Sequence, residues 1–450
     1  MNNSKNNFID GNIHSTLRRL ATPLAFGFVI NAIYTWTDMY FVSRLGDTAT
    51  AALGFADQID FVIFTLGNGF CLGTGVIVAR RIGEGKKNQA EKVVTHAFSF
   101  MMIYSVIVAS LLYFVVPFVF ILIGLKGELL QKSTIYMQTL LLGFPGSMIT
   151  FQSNASVRST GNTIFPMLVL FFSALINACC DPILIFGLFG FPKFGMQGAA
   201  LSTSIAKWFS AILCIYILFT GKLNLKIQKP TLKIDWGIIK NIVQIGIPSS
   251  LQTLTVSVSR VILISFSNFF GTESAAAFTI GQKIDALAFM PVFAFAIAIE
   301  TMVGQNIGAK KFERVKQFIK SAIFQLSCIM LIVGIIYLLF AKNIAGIFTN
   351  NNYVINLVKN YLHITVLGYF FFIIGQSCSR SLSGAGHSLR SMFIVASMLF
   401  FIQIPISYFL SKHTSLNVEG VFWGITIGHF VYASISIFAI RGNSWMLKKV

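Results

Sequence analysis

Residues 73–93 have the sequence GTGVIVARRIGEGKKNQAEKV, in which a run of small and apolar side chains ends abruptly at a basic cluster. The predominantly apolar stretches on its two sides cover 49–78 and 93–117. Each is long enough to cross about 30 Å of hydrocarbon as a helix that rises about 1.5 Å per residue. The segment therefore predicts two membrane-spanning helices joined by a short basic loop.

The same alternation of apolar runs and short polar loops continues over the whole chain. Hydrophobic residues make up 55% and charged residues 11% of the 450 residues, a balance that excludes an ordinary soluble globular protein. We expect an all-α integral membrane protein of about twelve transmembrane helices, with ends defined to within a few residues. The expected spans are 17–42, 49–78, 93–117, 130–156, 163–188, 197–220, 238–266, 274–304, 314–341, 355–382, 388–411 and 418–440.

The basic residues are distributed unequally between the two sets of loops. The chain has 34 Lys and Arg against 15 Asp and Glu, and most of the basic residues fall in the N-terminus, the even-numbered loops and the C-terminus. By the positive-inside rule, this bias predicts a multi-pass protein of the cell membrane with both termini in the cytoplasm. Short basic loops suit the inner leaflet, so we expect a lipid bilayer as partner and no nucleic acid.

The second half of the chain repeats the first at an offset of 225 residues, which is half of 450. Pro23 aligns with Pro248, and Asp60 aligns with Asp285. Glycine pairs at the same offset are Gly46 and Gly271, Gly83 and Gly308, Gly143 and Gly368, Gly161 and Gly386, and Gly195 and Gly420. So many matches at one offset indicate a duplication.

The repeat predicts how the chain is organised in the membrane. Because six spans are an even number, the two halves enter the membrane in the same sense, as the parallel repeats of many secondary transporters do. We predict an N-lobe of six helices at 1–221, a Lys-rich cytoplasmic linker at 222–237 and a C-lobe of six helices at 238–450.

Two acidic residues of the first half lie inside predicted spans, where an unpaired charge costs several kcal/mol. Asp38 lies late in the first span, and Asp181 lies in the fifth. Asn177 precedes Asp181 by one helical turn and shares its face. Carboxylate and amide oxygens are hard ligands for a small cation, and the carboxylates can instead carry protons. The structural alternatives are a headgroup position for Asp38 and a helix cap before Pro182 for Asp181.

The second half carries different charges. Lys283 and Asp285 lie on one span, and Glu300 lies near its far end. Because Asp285 repeats an aspartate of the first half, a structural role at a helix end is its simpler interpretation. A substrate or ion role for Glu300 stays open, with Arg260 or Lys207 as its charge partner unless these two extend to the membrane surface.

Several motifs resemble those of the multidrug and toxic compound extrusion (MATE) family. The segment 73–93 and its counterpart ETMVGQNIGAKKFERVK at 300–316 are similar to the loop after the second span of each half. RSTGNT at 158–163 and SGAGHS at 383–388 resemble the R-x-x-G-D-T motifs. DPILIFG and FGMQGAALSTSIA, within 181–206, resemble the signature of the fifth and sixth spans. The order and spacing of these motifs extend the resemblance over essentially the whole chain.

The resemblance implies a V-shaped transporter whose two lobes alternate between inward-open and outward-open states. It would export amphipathic, often cationic small molecules in exchange for Na⁺ or H⁺. We expect a monomer without enzyme activity or cofactor, and the high usage of Lys, Asn, Ile and Phe indicates a bacterial source. A lipid-linked precursor flippase of the same superfamily is the alternative. A membrane-embedded enzyme is less favoured, because the sequence has no nucleotide motif and no catalytic cluster at membrane depth.

The resemblance also implies site residues, because the DinF-like branch of the family has a cation site in its first half. The matching residues are Pro23 at the kink of the first helix, Tyr34 and Asp38 later on that helix, Asn177 and Asp181 on the fifth helix, and Thr203 on the sixth. We expect no metal beyond Na⁺ at this site.

The sequence also departs from the family pattern. The NorM-like branch has an acidic residue after the proline of the seventh span, whereas 246–260, GIPSSLQTLTVSVSR, has none. The aspartate of the G-D-T motif is replaced by Asn162 and His387. The positions that repeat the first-half aspartates are Leu263 and Ile406, so we expect the energy coupling in the first half.

Overall fold

The computed structural model describes residues 7–223, 225–228 and 233–448, and over these residues the chain is helical without any strand. Eleven of the described helices are long and apolar enough to cross a membrane. The prediction of an all-α integral membrane protein is therefore confirmed.

The helices of the first half follow the predicted spans closely. They are α1 (Asn7–Asp10), α2 (Ile13–Ser43), α3 (Asp47–Gly83), α4 (Lys87–Leu122), α5 (Gly127–Leu142), α6 (Phe144–Ser159), α7 (Ile164–Phe186) and α8 (Met196–Thr220). The fourth predicted span consists of α5 and α6, each of 16 residues. Because neither helix is long enough to cross a membrane alone, this span is not among the eleven membrane-spanning helices.

The helices of the second half also follow the prediction. They are α9 (Trp236–Asn268), α10 (Thr272–Ala288), α11 (Met290–Gly308), α12 (Phe312–Gly346), α13 (Asn352–Gly384), α14 (Ser388–Ser397), α15 (Ile404–His413) and α16 (Glu419–Ala439). A π-helical segment, Met398–Gln403, joins α14 to α15 within the eleventh predicted span.

The breaks inside the predicted spans differ between the two halves. In the first half, the chain breaks at Gly143, where a Cβ atom would come within 2.7 Å of the Cα atom of Ser204 on α8. In the second half, it breaks at Phe289, between α10 and α11. Each break is followed by a proline in the first turn of the next helix, where its missing N–H group is tolerated. The two breaks therefore lie at positions that the 225-residue repeat does not relate.

The chain forms two compact units. The first unit comprises Pro23–Ser250, and the second comprises the described residues up to Thr22 and from Leu251 onward. The boundaries of the units fall inside α2 and α9. The division into two lobes around a linker at 222–237 stays a prediction.

The described part of the linker packs on the N-terminal turns of α4, within the first unit. Its backbone N–H groups at Lys226 and Gln228 donate to Glu91 Oε1 at 3.2 Å and to Thr95 Oγ1 at 3.0 Å. The alternating side chains of Leu225 and Ile227 are buried. Despite its basic composition, this segment is therefore attached to the helix bundle at both polar and apolar positions.

Candidate functional site

One face of α7 carries the polar residues that the sequence singled out. Asn177 and Asp181 lie one turn apart and are 0% exposed, and Ile185 continues the same buried row one turn later. The rest of α7 is strongly apolar, and α8 packs against it. A helix of this composition buries its polar face inside the protein and leaves its apolar faces to lipid.

The amide of Asn177 links α7 to α8. Its Nδ2 atom donates to Asp181 Oδ1 at 3.3 Å, to Ser202 Oγ at 3.1 Å and to Thr203 Oγ1 at 3.3 Å. The Ser202 hydroxyl in turn donates to the backbone carbonyl of Asn177 at 3.1 Å. Ser202 was not predicted from the sequence, because a serine in an apolar helix has no distinguishing signal until its partner helix is known.

Helix α2 adds two of the predicted residues to this cluster. Tyr34 interacts with the side chain of Thr203, and it precedes Asp38 by one turn. Asp38 is 9% exposed and interacts electrostatically with Asp181. The structure therefore brings together all five residues for which the sequence predicts cation binding. We refer to Tyr34, Asp38, Asn177, Asp181, Ser202 and Thr203 as the first-unit polar cluster.

Three oxygen atoms of the first-unit polar cluster are buried without a hydrogen-bond partner among the described residues. They are Asp38 Oδ1, Asn177 Oδ1 and Asp181 Oδ2. Buried polar atoms are normally hydrogen-bonded, so each of these oxygens is a candidate ligand atom. Two carboxylate oxygens and one amide oxygen are the ligands that hard cations such as Na⁺ select, and the carboxylates also fit a proton. The residues present thus fit the expected coupling ion.

Sequence reasoning missed Asp57 and did not connect Lys207 with this cluster. Asp57 lies ten residues into α3, about 15 Å from its start, and interacts electrostatically with Asp38 and Asp60. Lys207 of α8 attracts both Asp38 and Asp57. The available signal was the depth of Asp57 in its span, where a charged residue is by default a functional candidate.

Glu300 pairs with a residue that the sequence did not indicate. Arg380 Nη1 of α13 lies 3.7 Å from Glu300 Oε2, and the two side chains are 22% and 10% exposed. Arg380 is thus a charge partner of Glu300 that the sequence did not name, and a role of Arg260 or Lys207 beside Glu300 stays a prediction. Sequence spacing could not find this pair, because it depends on how α11 packs against α13.

Asp285 lies one turn before the end of α10 and accepts hydrogen bonds from the hydroxyls of Tyr361 and Tyr369. Its repeat counterpart Asp60 lies within the uninterrupted helix α3, so a common role at a helix end does not apply to both residues. The neighbouring predicted charge, Lys283, has an exposed side chain.

Two further predictions concern Pro23 and metal binding. Pro23 lies inside α2, and its missing N–H group leaves the Arg19 carbonyl without its helical partner, which favours bending there. Over the described residues, no group of three or more His, Cys, Asp or Glu side chains is placed to hold a metal ion.

The geometry of the two units can be compared with known proteins. The family model MatE matches residues 23–183 and 248–409. The two matches begin at Pro23 and Pro248, at the offset of the internal repeat, and together they cover most of the chain. The chain belongs to the MATE family.

Relatives and solved structures of MATE proteins resemble this chain along nearly its full length. The probable multidrug resistance protein NorM of Thermotoga maritima is 25% identical, and the match covers 97% of this chain and 94% of the length of NorM. The FAD transporter of Shewanella oneidensis is 25% identical over 88% of this chain and 87% of its own. A multidrug resistance MATE transporter in an outward-facing conformation superimposes with a TM-score of 0.91, at 26% identity and 100% coverage of both chains.

Membership of the MATE family confirms three of the predictions. The chain is a multi-pass membrane transporter, it has the fold of this family, and it is not an enzyme. The assignment to the DinF-like branch stays a prediction.

Proposed function

We propose that this MATE protein is a secondary active antiporter that exports amphipathic, often cationic compounds in exchange for Na⁺ or H⁺. The proposal rests chiefly on the three partnerless oxygen atoms of Asp38, Asn177 and Asp181. Relatives named as multidrug resistance and multidrug export proteins support the class of substrate.

The chain's own residues suggest how the ion acts. Asp38 belongs to α2, whereas Asp181 belongs to α7, so the repulsion between two ionised carboxylates pushes these helices apart. A bound cation removes this repulsion, and Asn177 and Thr203 complete its oxygen ligands. The resulting shift in α2 is accommodated at Pro23, where one helical hydrogen bond is absent.

Alternating access requires that the ion and the exported compound favour different states, because a ligand shifts an equilibrium only by its differential affinity. We propose that occupation of the first-unit polar cluster weakens drug binding on the outer side and promotes release. The carboxylates of Asp38, Asp57, Asp60 and Asp181 outnumber the cation of Lys207 in this region, which favours cationic over anionic compounds.

The proposed setting is the bacterial cell membrane, with a monomer whose termini face the cytoplasm. The loop between α3 and α4 supports this orientation. Glu84 of this loop is surrounded by Lys86 and by Arg80 and Arg81 of the last turn of α3, so this end of α3 and its loop keep a net positive charge. Such loops are retained on the cytoplasmic side.

Transport in proteoliposomes tests the proposal directly. Purified protein is reconstituted, and the efflux of a panel of cationic dyes is measured under a Na⁺ gradient or a pH gradient, imposed separately. Asp38→Asn and Asp181→Asn are each expected to lower coupled efflux at least tenfold, whereas Asp47→Asn, at the exposed start of α3, is expected to leave it unchanged. Wild-type coupled efflux in both site variants would show that this cation site is wrong.

The same vesicles separate the rival substrate classes. FAD serves as the anionic comparison, because one relative is named as an FAD transporter. A fluorescent lipid-linked precursor tests the flippase alternative. Efflux of the cationic dyes without movement of either comparison supports the proposed multidrug activity.

A further inference from the structure

Asp285 is the centre of a second buried carboxyl cluster, which lies in the second unit. Its side chain is 7% exposed. The Tyr361 hydroxyl donates to Asp285 Oδ2 at 2.7 Å, and the Tyr369 hydroxyl donates to Asp285 Oδ1. The two tyrosines lie about two turns apart on α13 and so share one face of that helix. The carboxyl group therefore connects α10 to α13 through both of its oxygen atoms.

The two tyrosine hydroxyls differ in their freedom to rotate. Gln282 Nε2 donates to the Tyr361 oxygen at 3.2 Å, so the single hydroxyl proton of Tyr361 is directed at Asp285. The Tyr369 hydroxyl has Asp285 as its one hydrogen-bond partner among the described residues. A protonated carboxyl group needs an acceptor for its new O–H group, and Tyr369 can supply one by turning its own hydrogen away.

The surrounding helices contribute few other titratable or charged groups. Tyr337 of α12 donates to the Ile284 carbonyl at 3.2 Å, and Arg260 of α9 interacts electrostatically with Tyr361. On α11, Glu300 is the one titratable residue, and it is paired with Arg380.

This cluster differs chemically from the first-unit polar cluster. Both carboxylate oxygens of Asp285 already accept hydrogen bonds, whereas Asp38, Asn177 and Asp181 each have an oxygen without a partner. A Na⁺ ion needs several oxygen ligands that are free to face it. A proton needs a single lone pair, so the Asp285 cluster suits a proton rather than a metal ion.

We propose that Asp285 is a proton-binding site of the transport cycle and that its protonation reverses its hydrogen bond with Tyr369. A hydronium ion gives one proton to Oδ1 and becomes water, so that one O–H bond breaks and one forms. The new O–H group donates to the Tyr369 oxygen, and the Tyr369 hydrogen rotates away. The ring of Phe289, at the break between α10 and α11, packs on the Tyr369 ring with a centroid distance of 4.9 Å, so Tyr369 contacts the break directly.

Infrared difference spectroscopy of the purified full-length protein tests whether Asp285 binds the proton. On acidification, the wild type is expected to gain a carbonyl band of a protonated carboxyl group that Asp285→Asn lacks. Tyr369→Phe is expected to shift the frequency of that band, because its hydrogen-bond acceptor is lost. Tyr337→Phe is the matched control and keeps the band, since Tyr337 donates to a backbone carbonyl. Identical spectra for Asp285→Asn and the wild type overturn the proposal.

Transport tests whether the proton is used, and this arm rests on the proposed antiport. Asp285→Asn is expected to lose at least tenfold in dye efflux driven by a pH gradient while it keeps dye exchange in the absence of a gradient, which shows that it is folded. Two results would overturn the role of Asp285 and leave the proposed export activity standing. One is a pH-driven efflux rate of Asp285→Asn equal to that of the wild type, and the other is a wild-type protein whose efflux is driven by a Na⁺ gradient but not by a pH gradient. Absence of dye efflux from the wild type under either gradient contradicts the export activity instead, and the spectra still decide whether Asp285 binds a proton.

Discussion

Gly384 of α13 packs directly against the backbone of Glu300 on α11: a Cβ atom at Gly384 would come within 2.5 Å of the Glu300 carbonyl oxygen. At the corresponding positions of the first half, Ser159 of α6 donates its hydroxyl to the Gly75 carbonyl of α3 at 2.8 Å. The repeat thus preserves a close helix contact, but the glycine has changed helices. With the glycine on α13, position 300 is free to carry a carboxylate that reaches Arg380.

The contact at Gly384 predicts a loss of stability when a methyl group is added. Gly384→Ala must push α11 and α13 apart, since the atoms that it meets are backbone atoms, and overpacking of this kind costs about 1–3 kcal/mol. Gly346→Ala on α12 is the control, because no atom lies within 4 Å of its added Cβ. Thermal unfolding in detergent measures both variants. Equal unfolding temperatures for the two variants would contradict a close contact between Gly384 and the backbone of Glu300.

The Glu300–Arg380 pair predicts a non-additive response to mutation. Glu300→Gln leaves the mostly buried guanidinium of Arg380 without its carboxylate, which typically costs about 3–5 kcal/mol, and this cost is absent when Arg380 is replaced as well. The double variant Glu300→Gln with Arg380→Gln is therefore expected to unfold at a higher temperature than Glu300→Gln alone. A double variant whose destabilisation equals the sum of the two single losses would contradict a direct pairing.

The parts of the fold that the sequence predicted depend on properties of single segments. Apolar length located the spans, and the four-residue spacing of Asn177 and Asp181 placed both on one face of α7, where they are buried. The helix breaks at Gly143 and Phe289 were not predicted, because hydropathy stays high through both positions and the breaks depend on the neighbouring helices. Arg380 and Ser202 were missed for the same reason: each is identified by a partner on another helix.

The first-unit polar cluster predicts that Na⁺ stabilises the folded protein if Na⁺ is the coupling ion. A ligand that binds only the folded state raises stability by about 2.7 kcal/mol at a hundred times its dissociation constant. Added Na⁺ is then expected to raise the unfolding temperature of the wild type but not that of Asn177→Ala, which lacks one oxygen ligand and the amide that holds Ser202 and Thr203.

Ser173 provides the matched control for this experiment. It lies on α7 and donates to the Ala206 carbonyl of α8 at 3.3 Å, outside the cluster. Ser173→Ala is expected to keep the full response to Na⁺. A response to Na⁺ that is unchanged in Asn177→Ala would exclude the amide from the ion site. A response to pH but not to Na⁺ in the wild type, reduced in Asn177→Ala and kept in Ser173→Ala, would assign the site to protons.

Replacement of Lys207 is expected to raise the affinity for a cationic dye, whereas the aspartate and asparagine variants weaken cation binding. Its ammonium group attracts Asp38 and Asp57 and so competes with any cation that these carboxylates bind. Lys207→Met is expected to tighten the binding of a monovalent cationic dye by roughly 1.5- to 5-fold, the range of one exposed charge interaction. Because tighter binding slows release, the same variant is expected to export the dye more slowly at saturation. Lys193→Met, in the exposed loop before α8, is the control for a general change in charge. Equal dye affinities for Lys207→Met and Lys193→Met, measured by fluorescence titration, would show that Lys207 does not act on the cation-binding carboxylates.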